Sequence, residues 1–547
     1  MSASSVSVGT TTSVRTATDP RSRLRTSADY LRTPAGHASL LGFLGAAMIT
    51  FGGFGAGSVR RHDPLLEEMR LSWLRFGHGY ALSTIVVWGG VLAMIAAWVR
   101  LGRIALRGDV GLRGVLWTVP VWTAPMLLAV PMFSRDAYSY LAQGALLRDG
   151  FDPYAVGPVV NPGLLLDNVS NVWTTTTAPY GPVSLLLGQG ITTITGDNVV
   201  AGTMLLRLVF LPGLALMMWA LPRLARQLGG DPTIAVWLAV LNPLVLIHLI
   251  GGVHNELLMV GLMVAGITLA LDRKHLAAVA VIALGVAVKA MAGIALPFIV
   301  WIWMIHERDR ALSEGREPVS PLASFTRTAG TGVAVFAAIF AAVSAIAGVG
   351  LGWLTALSGS AKIINWLSLP TILAHIVTVG TGWFTGLRSV DAGSPVLGVT
   401  RTISAVVLAS LLVWIWWRFR KTERDAVMGI LVALVAIVIL SPAALPWYYS
   451  WPLAIAAGFS MSTRTLQILV GLSTWLMLVF QPDGSIGLYT FVHVALATFA
   501  AVVAAVSLKV VDPLRLRAVS DRAAAPAPEP IPEPVASAAS ERTASPR

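Results

Sequence analysis

The chain has 547 residues, 55% hydrophobic and 12% charged, with a net charge of +12 and no cysteine. Soluble domains carry about 25% charged residues, so this composition excludes an ordinary soluble domain. The absent cysteines exclude disulfides, thiolate metal sites and thiol catalysis. The basic excess does not indicate nucleic acid, because Lys and Arg are spread over short connections between apolar runs rather than gathered in one basic domain.

Residues 1–37 are rich in Ser, Thr and Arg without an apolar core. They read as a disordered cytoplasmic segment and not as a cleavable signal peptide. A membrane domain is expected over 38–511. Apolar runs near 38–57, 78–98, 114–132, 199–221, 233–251, 256–271, 276–290, 292–305, 328–350, 398–417, 427–444, 450–463, 465–481 and 487–510 read as spans. Crossing the hydrocarbon core takes roughly 17–25 residues, and several of these runs fall short of that. The expected fold is an all-α polytopic transmembrane bundle of about fourteen spans, with its backbone polar groups satisfied internally.

Basic residues at Arg100–Arg113, Arg223 and Arg226, Arg273 and Lys274, Arg308–Arg316 and Arg418–Arg424 mark the cytoplasmic side and place both termini inside. The connection 58–77 runs against this rule. It carries Arg60, Arg61, Arg70 and Arg75 outside, partly offset by Asp63, Glu67 and Glu68. Residues 133–198 form a long outer loop whose 185–195 part suits the interface. Residues 363–384 read as a re-entrant or interfacial helix, because a span there would carry Arg418–Arg424 outside. No internal repeat is visible, which disfavours an inverted-repeat transporter. Residues 512–547, rich in Ala, Pro and Glu, read as a disordered tail.

This topology gathers polar residues on the outer face. Asp136 follows the third apolar run, in Ser134-Arg135-Asp136-Ala137-Tyr138-Ser139-Tyr140. Tyr180 lies in the turn-forming Ala178-Pro179-Tyr180-Gly181-Pro182. His254-Asn255-Glu256 joins two spans, Lys289 sits between Val288 and Ala290, and Pro446-Trp447-Tyr448 joins two more. Ionisable groups at a membrane edge are costly and tend to be functional. Each has a structural alternative. Asp136 reads equally as an ion pair with Arg135, Asn255 as a helix cap, Lys289 as a snorkelling side chain, and the Trp-Tyr pair as part of an aromatic belt. One His and one Glu without spaced partners make too few metal ligands, so no metal is expected. Together the set suits sugar transfer from a lipid phosphate. An acid takes the acceptor proton, a cation faces the leaving phosphate, and aromatic rings meet sugar and polyprenyl chain.

These segments, with Thr176-Thr177-Ala178-Pro179-Tyr180 and Glu256-Leu257-Leu258-Met259-Val260-Gly261, resemble the GT-C superfamily of membrane glycosyltransferases that use polyprenyl-phosphate sugars. The nearest resemblance is to the actinobacterial α-(1→6)-mannopyranosyltransferases of lipomannan and lipoarabinomannan assembly, and it covers most of 114–460. It implies Asp136 as the catalytic carboxylate. Arg135, Tyr138, Tyr180, His254, Asn255, Glu256, Lys289, Trp447 and Tyr448 are the candidate substrate contacts. It also implies a polyprenyl-phospho-mannose donor, no separate cofactor, inversion at the sugar, and a lipid-anchored mannan acceptor at the outer face of the plasma membrane. A GT-C arabinosyltransferase is the near alternative and a lipid or sugar transporter the distant one. The superfamily usually places its acid in the first outer loop, whereas here it follows the third expected span. Many relatives also carry a large soluble carboxy-terminal domain, which this chain lacks.

Overall fold

The computed structural model describes residues 29–357, 362–385, 389–391 and 393–514. The expected tail beyond 514 and the first 28 residues of the expected amino-terminal segment lie outside them. Among the described residues the structure is helical, with two isolated β-bridges and no strand.

Among the described residues three long helices precede Asp136: α1 (Pro34–Ala56), α2 (Gly77–Leu106) and α3 (Leu112–Met126). Two more lie within 133–198: α4 (Asp136–Arg148) and α5 (Pro182–Thr195). There follow α6 (Val199–Leu228), α7 (Pro232–Ala239), α8 (Glu256–Leu271), α9 (His275–Val288), α10 (Leu296–Ser313) and α11 (Pro321–Ala347). The carboxy-terminal part comprises α12 (Leu369–Thr385), α13 (Pro395–Arg418), α14 (Glu423–Leu440), α15 (Ser450–Ala456), α16 (Thr463–Leu478) and α17 (Phe491–Ser507).

Local sequence sets several of these starts. Thr33 caps α1 by accepting from the Gly36 N–H, with Pro34 in the first turn. Asn198 caps α6 by accepting from Ala201, and Thr422 caps α14 by accepting from Asp425, with Glu423 and Asp425 in its first turn.

Among the described residues six helical units are long and apolar enough to cross a membrane: α1, α2, α6, 290–313 (α10 with the 3-10 turn before it), α11 and α13. The chain is an all-α membrane protein. Helix α7 and the segment Pro243–Gly251 make a seventh unit when taken together, bent by 44°. Length and composition therefore support six or seven crossings against the fourteen expected. The expected spans 256–271 and 276–290 are helices of 16 and 14 residues, and 450–463 holds a helix of only 7. The 133–198 segment also differs from a loop. Asp136 is the first residue of α4, a 13-residue helix most of which is buried.

Backbone contacts between glycines place the helices that carry the site. A Cβ on Gly144 of α4 would lie 2.2 Å from the Gly188 carbonyl carbon of α5. A Cβ on Gly261 of α8 would lie 2.4 Å from the Gly213 oxygen of α6. Small residues of this kind let membrane helices approach backbone to backbone.

Buried Arg207 of α6 fixes two irregular segments. Its guanidinium donates to the carbonyls of Leu127 (2.8 Å), Ala129 (2.7 Å), Ile250 (2.9 Å) and Gly251 (3.4 Å). The first two lie in the stretch before Asp136. The last two end a π-helical turn, Leu246–Gly251, just before His254. Arg207→Met removes donors from buried carbonyls, each worth about 1–3 kcal/mol when left unpaired. The expected result is a loss of about 3 kcal/mol or more, read as a lower melting temperature in detergent, with activity falling alongside. An unchanged melting temperature would show that these segments are held by other contacts.

Two of the four arginines of 58–77 that oppose the charge rule, Arg60 and Arg75, share one carboxylate. Asp63 accepts from Arg60 at 3.0 Å and from Arg75 at 2.7 Å, and Arg60 also donates to Thr203.

Candidate active site

Four segments distant in sequence meet at one end of the bundle. Asp136 opens α4, where its own N–H donates to Ser134 Oγ at 3.1 Å. His254 precedes α8 and Glu256 begins it. Lys289 ends α9 in an extended conformation before a 3-10 turn. Trp447 and Tyr448 form a 3-10 turn between α14 and α15. His254 Nδ1 lies 3.6 Å from Asp136 Oδ2 and 3.8 Å from Glu256 Oε2. Lys289 Nζ is ion-paired with Glu256 Oε1. His254 and Glu256 are fully buried, while the Asp136 and Lys289 side chains keep 14% and 13% exposure. The acid and the cation thus form the accessible edge of the cluster.

Aromatic rings wall this cluster. Trp447 stacks on His254 with centroids 3.9 Å apart. The Lys289 ammonium lies 4.9 Å from the Tyr448 ring centre, 5.5 Å from Tyr180 and 5.8 Å from Trp451. Tyr140 packs edge-on against Tyr180, and its hydroxyl is 3.5 Å from His254 Nδ1. Such rings hold a cation by their quadrupoles and offer flat faces to a sugar.

Backbone strain brackets the site. Phe133 and Val253 adopt left-handed conformations, with φ of 61° and 59°. They stand three residues before Asp136 and one before His254. A bulky or β-branched residue rarely takes this conformation, and such strain collects at functional sites. Packing holds both, since Phe133 and Val253 are fully buried and the Phe133 N–H donates to the Pro482 carbonyl at 2.8 Å.

The electrostatics suit a proton acceptor. Burial raises the Asp136 carboxyl from its ordinary value to about 6. Nearby Glu256 pushes it in the same direction, while Lys289 and hydrogen bonds to Ser134 and Trp173 oppose the rise. Asp136 starts α4, outside the candidate spans. Burial also holds His254 well below the ordinary histidine value, so its ring is neutral near pH 7. Among the described residues Glu256 Oε2, His254 Nε2 and Asn255 Oδ1 are buried and find no hydrogen-bond partner. Buried polar atoms of this kind are uncommon in folded proteins, and here they adjoin the acid.

The structure brings together Asp136, Tyr180, His254, Glu256, Lys289, Trp447 and Tyr448 of the expected set. Asn255 lies just behind them, donating to Ser184 Oγ at 3.4 Å. Arg135 and Tyr138 are engaged elsewhere. Arg135 donates to the carbonyls of Asn168 (3.0 Å) and Val59 (3.2 Å), and Tyr138 donates to the Ser58 carbonyl at 2.6 Å. They fasten α4 to the 58–60 corner, and Arg135 does not pair with Asp136.

Tyr140, Trp173 and Trp451 belong to the cluster and were not among the candidate contacts, although Tyr140 lies in the Asp136 motif. Tyr140 carried a usable signal, standing four residues after Asp136, which is one helical turn. Lys362, also not anticipated, donates to Thr176 Oγ1 at 2.9 Å. It thereby adds a second cation beside the segment that holds Trp173.

The fold and this cluster define a membrane protein with an acid, a neutral imidazole and a cation beneath aromatic rings, groups of the kind that group-transfer chemistry uses. Residues 39–305 match the model of the α-(1→6)-mannopyranosyltransferase N-terminal domain, and 370–510 match that of the MptB C-terminal domain. α-(1→6)-Mannopyranosyltransferase A of Mycobacterium tuberculosis (strain ATCC 25618 / H37Rv) is 54% identical over 477 residues, covering 87% of this chain and 90% of that protein. The A enzyme of Corynebacterium glutamicum is 39% identical over 473 residues, covering 84% and 96%. The B enzyme of the same species is 32% identical over 455 residues, covering 77% and 72%. The chain belongs to the actinobacterial α-(1→6)-mannopyranosyltransferase family and is a glycosyltransferase. No solved structure matches it.

Proposed function

We propose that this enzyme transfers mannose from polyprenyl-phospho-mannose to an α-(1→6)-mannan chain of a lipid-anchored cell-envelope glycan. Transfer takes place at the outer face of the plasma membrane, with inversion and no cofactor beyond the lipid-linked donor. The observation that carries this reading is the convergence of Asp136, His254, Glu256 and Lys289 beneath Tyr180, Trp447 and Tyr448. The relatives' names supply the sugar and the linkage.

In the proposed step Asp136 takes the proton from the acceptor 6-hydroxyl as its oxygen attacks the mannose anomeric carbon. The bond from that carbon to the phosphate oxygen breaks, and polyprenyl phosphate leaves. Lys289, shared with Glu256, faces the developing charge on the phosphate. In its Nδ1–H tautomer His254 points its proton toward Asp136, and Trp447 keeps the ring in place.

The raised carboxyl of Asp136 gives a pH prediction. Only the deprotonated carboxylate accepts a proton, so kcat/KM falls as pH drops through about 6 and levels off above it. Lys289 favours the charged carboxylate. Residual activity of Lys289→Met should therefore show the limb displaced to higher pH. A wild-type profile flat between pH 5 and 8 would remove Asp136 from the role of base. Membranes supplied with labelled polyprenyl-phospho-mannose or its arabinose counterpart test the donor. Labelled mannan from the first alone is expected, and arabinose transfer alone would overturn the assignment.

A further inference from the structure

At the end of the bundle opposite Asp136 lies a cavity of about 690 Å³. It is bounded by the last turns of α10, the 314–320 connection, the start of α11 and the basic residues after α13. Its lining has two faces. Trp301, Met304 and Ile305 form an apolar wall, and basic side chains outnumber acidic ones six to two at the mouth.

Some of these charges are already balanced. Arg327 pairs with Glu307 at 2.6 Å, Arg316 pairs with Glu314, and Arg420 packs over the Trp417 ring. Among the described residues no carboxylate lies within 4.0 Å of Arg308, Arg310 or Lys421. Trp301 stacks on Trp416 with centroids 4.7 Å apart and donates to its carbonyl. Tryptophans of this kind collect where the hydrocarbon core meets the headgroups. The bordering helices α11 and α13 are the least buried of the candidate spans, at 6% and 11%, so the flank of the cavity is not covered by other helices of the chain.

We propose that this cavity binds one anionic phospholipid. Its phosphate lies among Arg308, Arg310 and Lys421, and the start of its acyl chains lies against Trp301, Met304 and Ile305. Basic pockets between membrane helices recognise anionic headgroups in this way. A soluble phosphate would use the basic mouth alone, and the apolar wall favours the lipid. The site is separate from the transfer chemistry, since none of its lining residues belongs to the Asp136 cluster.

The test measures lipid retention by the purified full-length protein in neutral detergent, with phosphatidylglycerol and phosphatidylcholine as probes. Wild type is expected to retain phosphatidylglycerol at least about tenfold more strongly than phosphatidylcholine. Each of R308Q, R310Q and K421Q should weaken retention about fivefold. The control R100Q/R107Q/R113Q removes three exposed charges from the same end without touching the cavity and should retain the lipid as wild type does. Equal retention of the two lipids overturns the proposal. So does an equal loss in the control, which would indicate diffuse surface charge. Displacement of phosphatidylglycerol by millimolar inorganic phosphate would assign the site to a soluble anion instead. The single variants keep the test informative if a triple variant at the cavity fails to fold.

Discussion

Asp136→Asn is expected to lower mannosyl transfer by about 10²–10⁴-fold, the range a positioned general base contributes, while the protein remains folded. Asn has nearly the same shape and can keep the local hydrogen bonds to Ser134 and Trp173. It cannot accept the acceptor proton. The side chain sits at the accessible edge of the cluster rather than deep inside it, so removing its charge strands no other group. His254 is neutral, and Lys289 retains Glu256. The loss should therefore fall on kcat far more than on KM, as expected when an interaction matters chiefly in the transition state. Transfer within threefold of wild type would contradict the role given to Asp136. His254→Gln offers a graded comparison. It removes the ring that stacks on Trp447 and reaches toward Asp136, and a smaller loss is expected.

The Glu256–Lys289 pair supports the second large prediction. Breaking a buried ion pair by removing one partner costs about 3–5 kcal/mol, because the remaining charge is left uncompensated. Lys289→Met strands Glu256, which is fully buried and has one oxygen already unpartnered. Glu256→Gln strands Lys289, which reaches the accessible edge and three aromatic rings. Lys289→Met should therefore destabilise more than Glu256→Gln. The double variant should recover most of the lost stability, because neither charge remains. Its transfer rate should stay as low as that of Lys289→Met, because no ammonium faces the leaving phosphate. Melting temperatures in detergent, together with transfer rates, check both halves. Additive destabilisation in the double variant would show that the two residues are not a coupled pair.

Much of the site was legible because membrane sequences make charge conspicuous. Asp136, His254, Glu256 and Lys289 all stand at the ends of apolar runs, and each lies in the cluster. The choice between ion pair and function at Asp136 was not legible. Arg135 is its neighbour in sequence, yet residues i and i+1 of a helix do not face each other. The guanidinium instead finds the carbonyls of Val59 and Asn168. Helix α4 was hidden for a related reason. Its sequence mixes Tyr, Ser, Gln and Ala, which reads as a loop, but it packs between α5 and α6, where small residues suit close contact.

Among the described residues six or seven helical units meet the length and composition of a crossing, fewer than the fourteen apolar runs, because hydropathy reports burial from water and does not distinguish lipid from protein. Helix α8 is apolar all round and almost entirely enclosed by its neighbours, so its 16 residues resemble a short span. Arg207 was also invisible in this respect. A single Arg in an apolar run suggests function, whereas here it satisfies carbonyls exposed by two breaks in helical structure. The anomalous arginines of 58–77 make the same point, since Asp63 gathers two of them into a local network.

The most direct test uses purified enzyme, β-linked polyprenyl-phospho-mannose and a short α-(1→6)-mannoside acceptor, with the linkage and anomeric configuration of the product read by NMR. Asp136 as the base of an inverting transfer predicts one added mannose in α-(1→6) linkage from wild type and at least about 100-fold slower product formation by Asp136→Asn. A β-linked product, or full transfer by the Asp136→Asn enzyme, would contradict it.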